Sequence, residues 1–333
     1  MLTTKNRNSS IVCGRLHSVA LLSNGTVKCW GDNTWNQCDP IHQHFTEVTQ
    51  LACGDYHSIA LFADGTIRCW GDNRENQCDP VHLTFTDVIQ VVCGVRHSVA
   101  LLSNGTVRCW GDNSSNQCEP VHLTFTDVIQ VVCGFDHSVA LFSNGTVRCW
   151  GNNRSNQCDP EHLTFTDVIQ VDCGFSHSVV LLNNGTVRCW GNNEGDQCNS
   201  VHLTFTGVIQ IACGSHHSVV LFSNNTVKFW GHNCSYQRTL TDVVKVVCGY
   251  YCAFAIFSDG TVHHWYNYMD TWDVVHCDCT DVIQVACGHF HSVVLLSNGT
   301  IKCWGDNTRN QCDPVYLTFT DILMPCNTNV ILW

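Results

Sequence analysis

Positive charge is what this chain most lacks. Its 333 residues include 16 Lys and Arg against 28 Asp and Glu, for a formal charge of −12. A grip on nucleic-acid backbones needs clustered basic residues, so nucleic acid is not expected as a partner. Long apolar runs are missing too: nothing approaches the ~18 residues of a membrane helix, and membrane insertion is not expected. The opening "MLTTKNRNSSIVCG" lacks the apolar core of a secretory signal, which points to an intracellular protein. No segment shows sustained helical periodicity. There is no phosphate-binding Gly-rich loop, no Gly-x-Ser-x-Gly elbow and no zinc-protease helix. We therefore expect no enzyme, no catalytic residues and no cofactor. Proline is scarce, at 6 residues, and falls between apolar stretches, where a missing backbone donor is harmless.

The chain does have a repeat. A Cys-Gly pair begins at Cys13, Cys53, Cys93, Cys133, Cys173, Cys213, Cys248 and Cys287, and each is followed by a Trp, from Trp30 to Trp304. Within a unit, "HSVALL" and "TVRCWG" are β-branched and apolar, and Ser-Asn-Gly joins them as a tight hairpin. "TDVIQVVCG" adds a third strand and "QCDPVHLTF" a short fourth. With 44% hydrophobic and 13% charged residues, the chain can bury a large core. Units of about 40 residues with three or four strands predict propeller blades. The expected fold is all-β: a single closed β-propeller over residues 11–326, with tails at 1–10 and 327–333. Counting hairpins gives eight blades; seven blades plus a displaced unit is the alternative. The ring is expected to close by joining "SSIV" to "DILMP".

"CGxxHSVALLSNGTVRCWGDNxxNQ" resembles the repeat of the regulator of chromosome condensation family, in every unit except the seventh. There Cys252 stands for the His and Tyr266 for the Gly. The resemblance implies a propeller, seven-bladed in most members, that acts through its faces. Among the activities it brings is guanine-nucleotide exchange on a Ran-like GTPase, although no insertion interrupts the repeat to carry an exchange loop. It also includes a plant ultraviolet-B photoreceptor that reads light through a Trp in its motif; the nearest match, "GVRHS" at Gly94–Ser98, lacks that Trp.

Cysteine is the second abundance, at 25 residues. The Cys before each Trp and the Cys after each Gln behave as pairs: Cys29/Cys38, Cys69/Cys78, Cys109/Cys118, Cys149/Cys158, Cys189/Cys198 and Cys303/Cys312. In the sixth unit both are gone, replaced by Phe229 and Arg238. Joint loss is what a bond between two side chains leaves behind, so disulfides are the leading expectation. Buried free thiols remain open. So does a metal recruiting Cys38 with His42, although Tyr316 replaces that His beside an intact pair; no metal ligands are assigned. Disulfides favour an oxidising compartment, which keeps a virus particle open as the setting.

In a ring of repeats, the positions that differ are free to carry recognition. Two such rings occur. The first is the pair inside Cys-Gly-x-x-His, from which the candidate rim is Arg15, Leu16, Asp55, Tyr56, Val95, Arg96, Phe135, Asp136, Phe175, Tyr250, Tyr251 and Phe290. The second includes Thr34-Trp35, Arg74-Glu75, Arg154-Ser155 and Thr308-Arg309. Aromatic and Arg residues on loops carry interface energy. The repeated histidines, by contrast, are expected to make one structural hydrogen bond per blade. The functional expectation is a non-enzymatic scaffold that binds a protein partner through one face. The alternatives are a Ran-type exchange factor and a disulfide-hardened structural protein of a larger assembly; homo-oligomerisation is left open.

Overall fold

The Ser-Asn-Gly turn folds "HSVALL" back onto "TVRCWG". In the third unit His97–Leu102 pairs antiparallel with Val107–Gly111, Leu101 opposite Val107. At the turn Gly105 adopts φ +77, which costs a glycine little. Asn104 turns its Oδ1 onto the Thr106 N–H and hydroxyl at 3.0 and 2.7 Å. The strand preceding Cys-Gly, Val88–Cys93, pairs with the other edge of His97–Leu102, Val91 opposite Ala100. A blade is therefore an inner, a middle and an outer strand. The middle strand is buried along nearly its whole length, which explains its unbroken apolar run.

The computed structural model describes residues 10–22, 25–38, 45, 47–78, 86–118, 125–158, 165–199, 205–232, 240–268, 271–276 and 279–312. These form eight sheets in chain order, seven of three strands and one of four. Their inner strands are Ser10–Cys13, Val48–Cys53, Val88–Cys93, Val128–Cys133, Val168–Cys173, Val208–Cys213, Val243–Cys248 and Val282–Cys287. The eight-blade count holds, and the divergent seventh unit forms a full blade. It adds a fourth strand, Thr271–His276, against Val262–Tyr268. The fourth strand expected of the other units, and "DILMP" with the boundary at 326, lie outside the described residues. No helix among the described residues is long and apolar enough to cross a membrane.

The core lies between blades. Ile59, Leu61 and Ile67 of blade two pack against Val88, Val91 and Trp110 of blade three, and the same layer recurs around the ring. Each fully buried aliphatic side chain in it contributes roughly 1.5–3 kcal/mol. Three kinds of polar contact cross the seams between blades two and three, three and four, and five and six. An inner-strand Gln clasps the next blade's backbone: Gln50 donates to the Val91 carbonyl and accepts from its N–H, both at 3.0 Å. The repeat His meets the next blade's Ser, His97 Nε2 to Ser138 Oγ at 2.8 Å. The repeat Trp donates to the preceding blade's Gln carbonyl, Trp110 Nε1 to Gln77 at 2.9 Å.

The same bonds join blade eight to blade one. Gln284 clasps Ile11 at 3.0 and 2.7 Å, His291 Nε2 meets Ser18 Oγ at 2.7 Å, and Trp30 donates to the Gln311 carbonyl at 3.0 Å. The ring closes through side chains and packing. Ser10–Cys13 pairs with blade one's own middle strand, because every blade supplies its inner strand from the residues just before Cys-Gly; the "DILMP" partner read for it from the sequence lies outside the described residues.

Candidate functional site

Each inner strand ends at Cys-Gly, and the chain enters the middle strand after two variable residues. Those turns surround the axis at one face. The first variable residue of a blade donates its N–H to the carbonyl of its counterpart in the next: Arg15 to Asp55 at 3.1 Å, Val95 to Phe135 at 3.1 Å, Phe135 to Phe175 at 3.2 Å, and His289 back to Arg15 at 3.3 Å. Inside this belt is a cavity of about 240 Å³, lined by Cys, Gly and the first variable residue of the blades. Arg15, Asp55, Val95, Phe135, Phe175 and Tyr250 thus converge on the axis, joined by Ser215 and His289. Leu16, Tyr56, Arg96, Asp136, Tyr251 and Phe290 occupy the second place, one residue outward.

The side chains divide the mouth into two sectors. Along one arc aromatic rings stack from blade to blade: Phe135 on Phe175 with centroids 3.9 Å apart, Phe175 on His216 at 5.6 Å, Tyr250 on His289 at 3.9 Å and Tyr251 on Phe290 at 5.4 Å. Phe175 also meets Tyr250 edge-on at 5.9 Å, across blade six. The other sector is polar. Asp55, 6% exposed, takes His289 Nε2 at 3.1 Å and Arg15 at 3.7 Å, and Arg15 lies over the Tyr56 ring. Burial raises Asp136 above the ordinary carboxylate range, with Asp112 adding to it. Burial likewise lowers His216, reinforced by His232.

The second variable ring stands on the same face, outside the first. The reason is local: the Asp of each "GDN" loop donates its N–H to the carbonyl of the second rim residue, Asp32 to Leu16, Asp72 to Tyr56 and Asp112 to Arg96, at 2.8–2.9 Å. The loop is self-contained, its Gln closing onto it: Gln37 accepts from the Trp35 N–H at 2.7 Å and donates to Asp32 at 3.0 Å. Arg74 bridges two loops, forked onto Asp72 and lying 3.7 Å over the Trp35 ring. Read separately in the sequence, the two rings are concentric in space.

The seven repeat histidines sit beneath this rim, buried. His17, His57, His97, His137, His177 and His291 each bond a serine of the adjoining blade at 2.7–2.9 Å, which is the structural bond expected of them. Burial lowers His97 and His177 to about 3 and His57 and His291 to about 4. At the seventh blade Cys252 takes the His place and bonds Ser292 at 3.7 Å. His264 replaces the missing Gln carbonyl there, accepting from Trp304 Nε1 at 3.0 Å through Nδ1.

Each pair of cysteines read as a candidate disulfide spans the "GDN" loop. Cys69 and Cys78 bring their sulfurs to 2.8 Å, in contact and longer than the ~2.05 Å of a bond. Cys29, Cys149 and Cys189 each hydrogen-bond Cys38, Cys158 and Cys198 in the same way. Cys109 with Cys118, and Cys303 with Cys312, are electrostatic neighbours. All these thiols are free in the structure: the two cysteines of a pair are neighbours, with no covalent bond between them. Burial raises Cys118, Cys303 and Cys312 to about 12, leaving them protonated at neutral pH. His42 lies outside the described residues; among those described, no group of three or more His, Cys, Asp or Glu is placed to hold a metal. Sequence reading missed Asp172, a half-buried carboxylate where other blades have Val or Ala. It accepts from the Cys173 and Cys213 N–H groups at 2.8 and 2.7 Å, and burial raises it to about 7.

Comparison with known proteins gives the architecture its family. No curated protein sequence matches the chain. Among solved structures, Prp20p from Saccharomyces cerevisiae superposes with a TM-score of 0.58 at 16% identity, covering 87% of this chain and 92% of its own. Human WBSCR16 superposes at 0.59 with 23% identity, covering 76% and 88%. The ectodomain of the Arabidopsis thaliana receptor kinase ACR4 does so at 0.55 with 18% identity, covering 79% and 96%. At these identities the likeness is one of fold. The repeat itself is more specific: residues 9–37, 48–77, 88–117, 128–157, 168–197, 208–237 and 282–311 each match the regulator of chromosome condensation (RCC1) repeat, all blades but the divergent seventh. With these repeat matches covering more than half of its length, the chain belongs to the RCC1 repeat family.

Proposed function

We propose that the protein is a non-enzymatic scaffold that captures a protein partner on the Cys-Gly face. The observation that carries this reading is the stacked aromatic arc from Phe135 to Phe290, set beside the Arg15–Asp55–His289 cluster. Stacked, half-buried rings next to charged groups are the composition of interface hot spots, and the ring of blades holds them rigid before binding. Protein binding is also named for Prp20p, with Gsp1p, histones and Kap60. Combining Tyr56→Ala, Arg96→Glu and Tyr251→Ala should cut capture of the partner at least tenfold, read by quantitative co-purification and mass spectrometry, while leaving the melting temperature in place. Undiminished capture would move the interface to another face. Unchanged nucleotide release from a Ran-type GTPase is expected in parallel; accelerated release would restore the exchange-factor reading.

A second reading, that disulfides harden the ring, is favoured by the 2.8 Å approach of Cys69 and Cys78. Closing each short loop would add about 2–3 kcal/mol. Peptide mapping without reductant, on protein alkylated at isolation, is expected to link Cys69 to Cys78 and its five counterparts. Complete alkylation of all twelve thiols in native protein would end this reading.

A further inference from the structure

On the face opposite the Cys-Gly rim, the inner strands of blades two to eight each begin with a valine buried between blades. The residue after it is large, apolar and in water in five consecutive blades: Ile89, Ile129, Ile169, Ile209 and Val244 are 53–58% exposed. The cause is a bulge. Register slips between Val88 and Gln90, and at the same place in the other four blades, so the residue between faces no partner and leaves the blade. Neighbouring inner strands are one glutamine apart, Gln90 reaching the Val131 carbonyl at 3.0 Å and Gln170 that of Ile211 at 3.1 Å. The five side chains therefore form an arc around the second mouth of the axis.

A collar of acid surrounds this arc. Immediately before the buried valines stand Glu47, Asp87, Asp127, Asp167, Asp242 and Asp281, all exposed. Most hold a left-handed backbone, φ 61–73 for Glu47, Asp87, Asp127, Asp242 and Asp281, where Gly207 shows that glycine serves. The turn itself does not require their carboxylates. Lys245, partly buried, is the basic residue on these inner strands.

We infer that this second face docks a cationic amphipathic segment of a partner protein, its apolar side on the isoleucine arc and its Lys or Arg side chains toward the collar. Exposed apolar patches rimmed by charge mark interaction sites, and an amphipathic segment is recognised through such a pairing. A second copy of this chain would set collar against collar, and an anionic lipid surface would meet the same repulsion. The inference is independent of the rim, which uses other residues on the other face.

The test is fluorescence anisotropy of a labelled synthetic Lys/Leu amphipathic peptide against the full chain. Binding is expected, and replacing the four isoleucines together (Ile89→Ser, Ile129→Ser, Ile169→Ser, Ile209→Ser) should weaken it at least about tenfold. Asp87→Asn with Asp127→Asn and Asp167→Asn should weaken it and flatten its salt dependence. A Glu/Leu peptide of the same pattern should not bind, nor should phosphatidylserine vesicles. Phe135→Ala with Phe175→Ala, on the rim, should leave peptide binding unchanged. Should the quadruple variant fold poorly, Ile129→Lys alone, which sets like charge against the peptide, must still weaken binding. Native-like binding by the isoleucine variants, equal binding of the Glu/Leu peptide, vesicle binding, or loss in the rim variant would each overturn the inference.

Discussion

Taken from pH 7 to pH 5, the protein is expected to unfold in one steep transition. The seven histidines His17, His57, His97, His137, His177, His217 and His291 are buried, and burial holds each at about 3 or 4, below the ordinary 6.5. A group depressed in the fold is neutral there while the unfolded chain takes up the proton. Its contribution is complete above pH 6.5 and is lost as pH falls toward the folded value. At pH 5 the loss is about 2 kcal/mol per histidine, roughly 14 kcal/mol together, against a total stability of about 5–15 kcal/mol for a folded domain. Six of these rings also hold Nδ1 buried without a partner among the described residues, so a second ring proton would have no acceptor there. Asp172 runs the other way. Raised to about 7, it gains stability on acidification, but one group offsets only about 2 kcal/mol.

Tryptophan fluorescence across pH 8 to 3 measures the transition. Its slope should report several protons taken up together. His97→Gln, which can still bond Ser138, removes one proton from that count and shifts the midpoint toward acid. A midpoint below pH 4, or a shallow slope, would show that the histidines are not neutral spacers between blades.

The histidines show what could be read from the sequence. Their fixed distance from Cys-Gly announced one bond per blade, and the bond is there in six. The hairpins, the blade count and the pairing of Cys69 with Cys78 were legible for the same reason: a repeat prints a local rule many times. Contacts between repeats were less legible. Gln50 clasping Val91 of the next blade looks in sequence like any polar residue in a strand. The seam that joins blade eight to blade one is likewise invisible in the sequence: Gln284 and Ile11 stand at opposite ends of the chain. Ile89, Ile129, Ile169 and Ile209 lie inside the apolar stretches read as the third strand; a bulge moves them to the surface, and no residue type announces a bulge. The rim sits between these cases. Variation at Phe135 and Phe175 flagged them, but only the closed ring brings Tyr250 against His289.

Gly94→Ala is expected to cost at least about 3 kcal/mol, an effect far larger than a methyl group at a turn ordinarily brings. Gly94 has no unusual backbone angle that alanine would resist; the obstacle is space. A Cβ there would lie 2.1 Å from His97 Cε1, 2.4 Å from its Nδ1 and 3.0 Å from the Gly134 carbonyl of the next blade. The ring cannot swing aside, since it is fully buried and its Nε2 is held by Ser138 at 2.8 Å. Moving it leaves two buried polar groups unpaired, at about 1–3 kcal/mol each, and overpacking adds about 1–3 kcal/mol. The same collision recurs at Gly14, Gly54, Gly134, Gly174 and Gly288, each against its own blade's histidine, so Cys-Gly-x-x-His is one packing unit. Urea denaturation should show Gly94→Ala and His97→Ala each strongly destabilising, and the double variant losing clearly less than their sum, because the smaller side chain makes room for the new methyl. Full additivity of the two would mean that glycine and ring act separately, and the packing unit would then be an accident of sequence spacing.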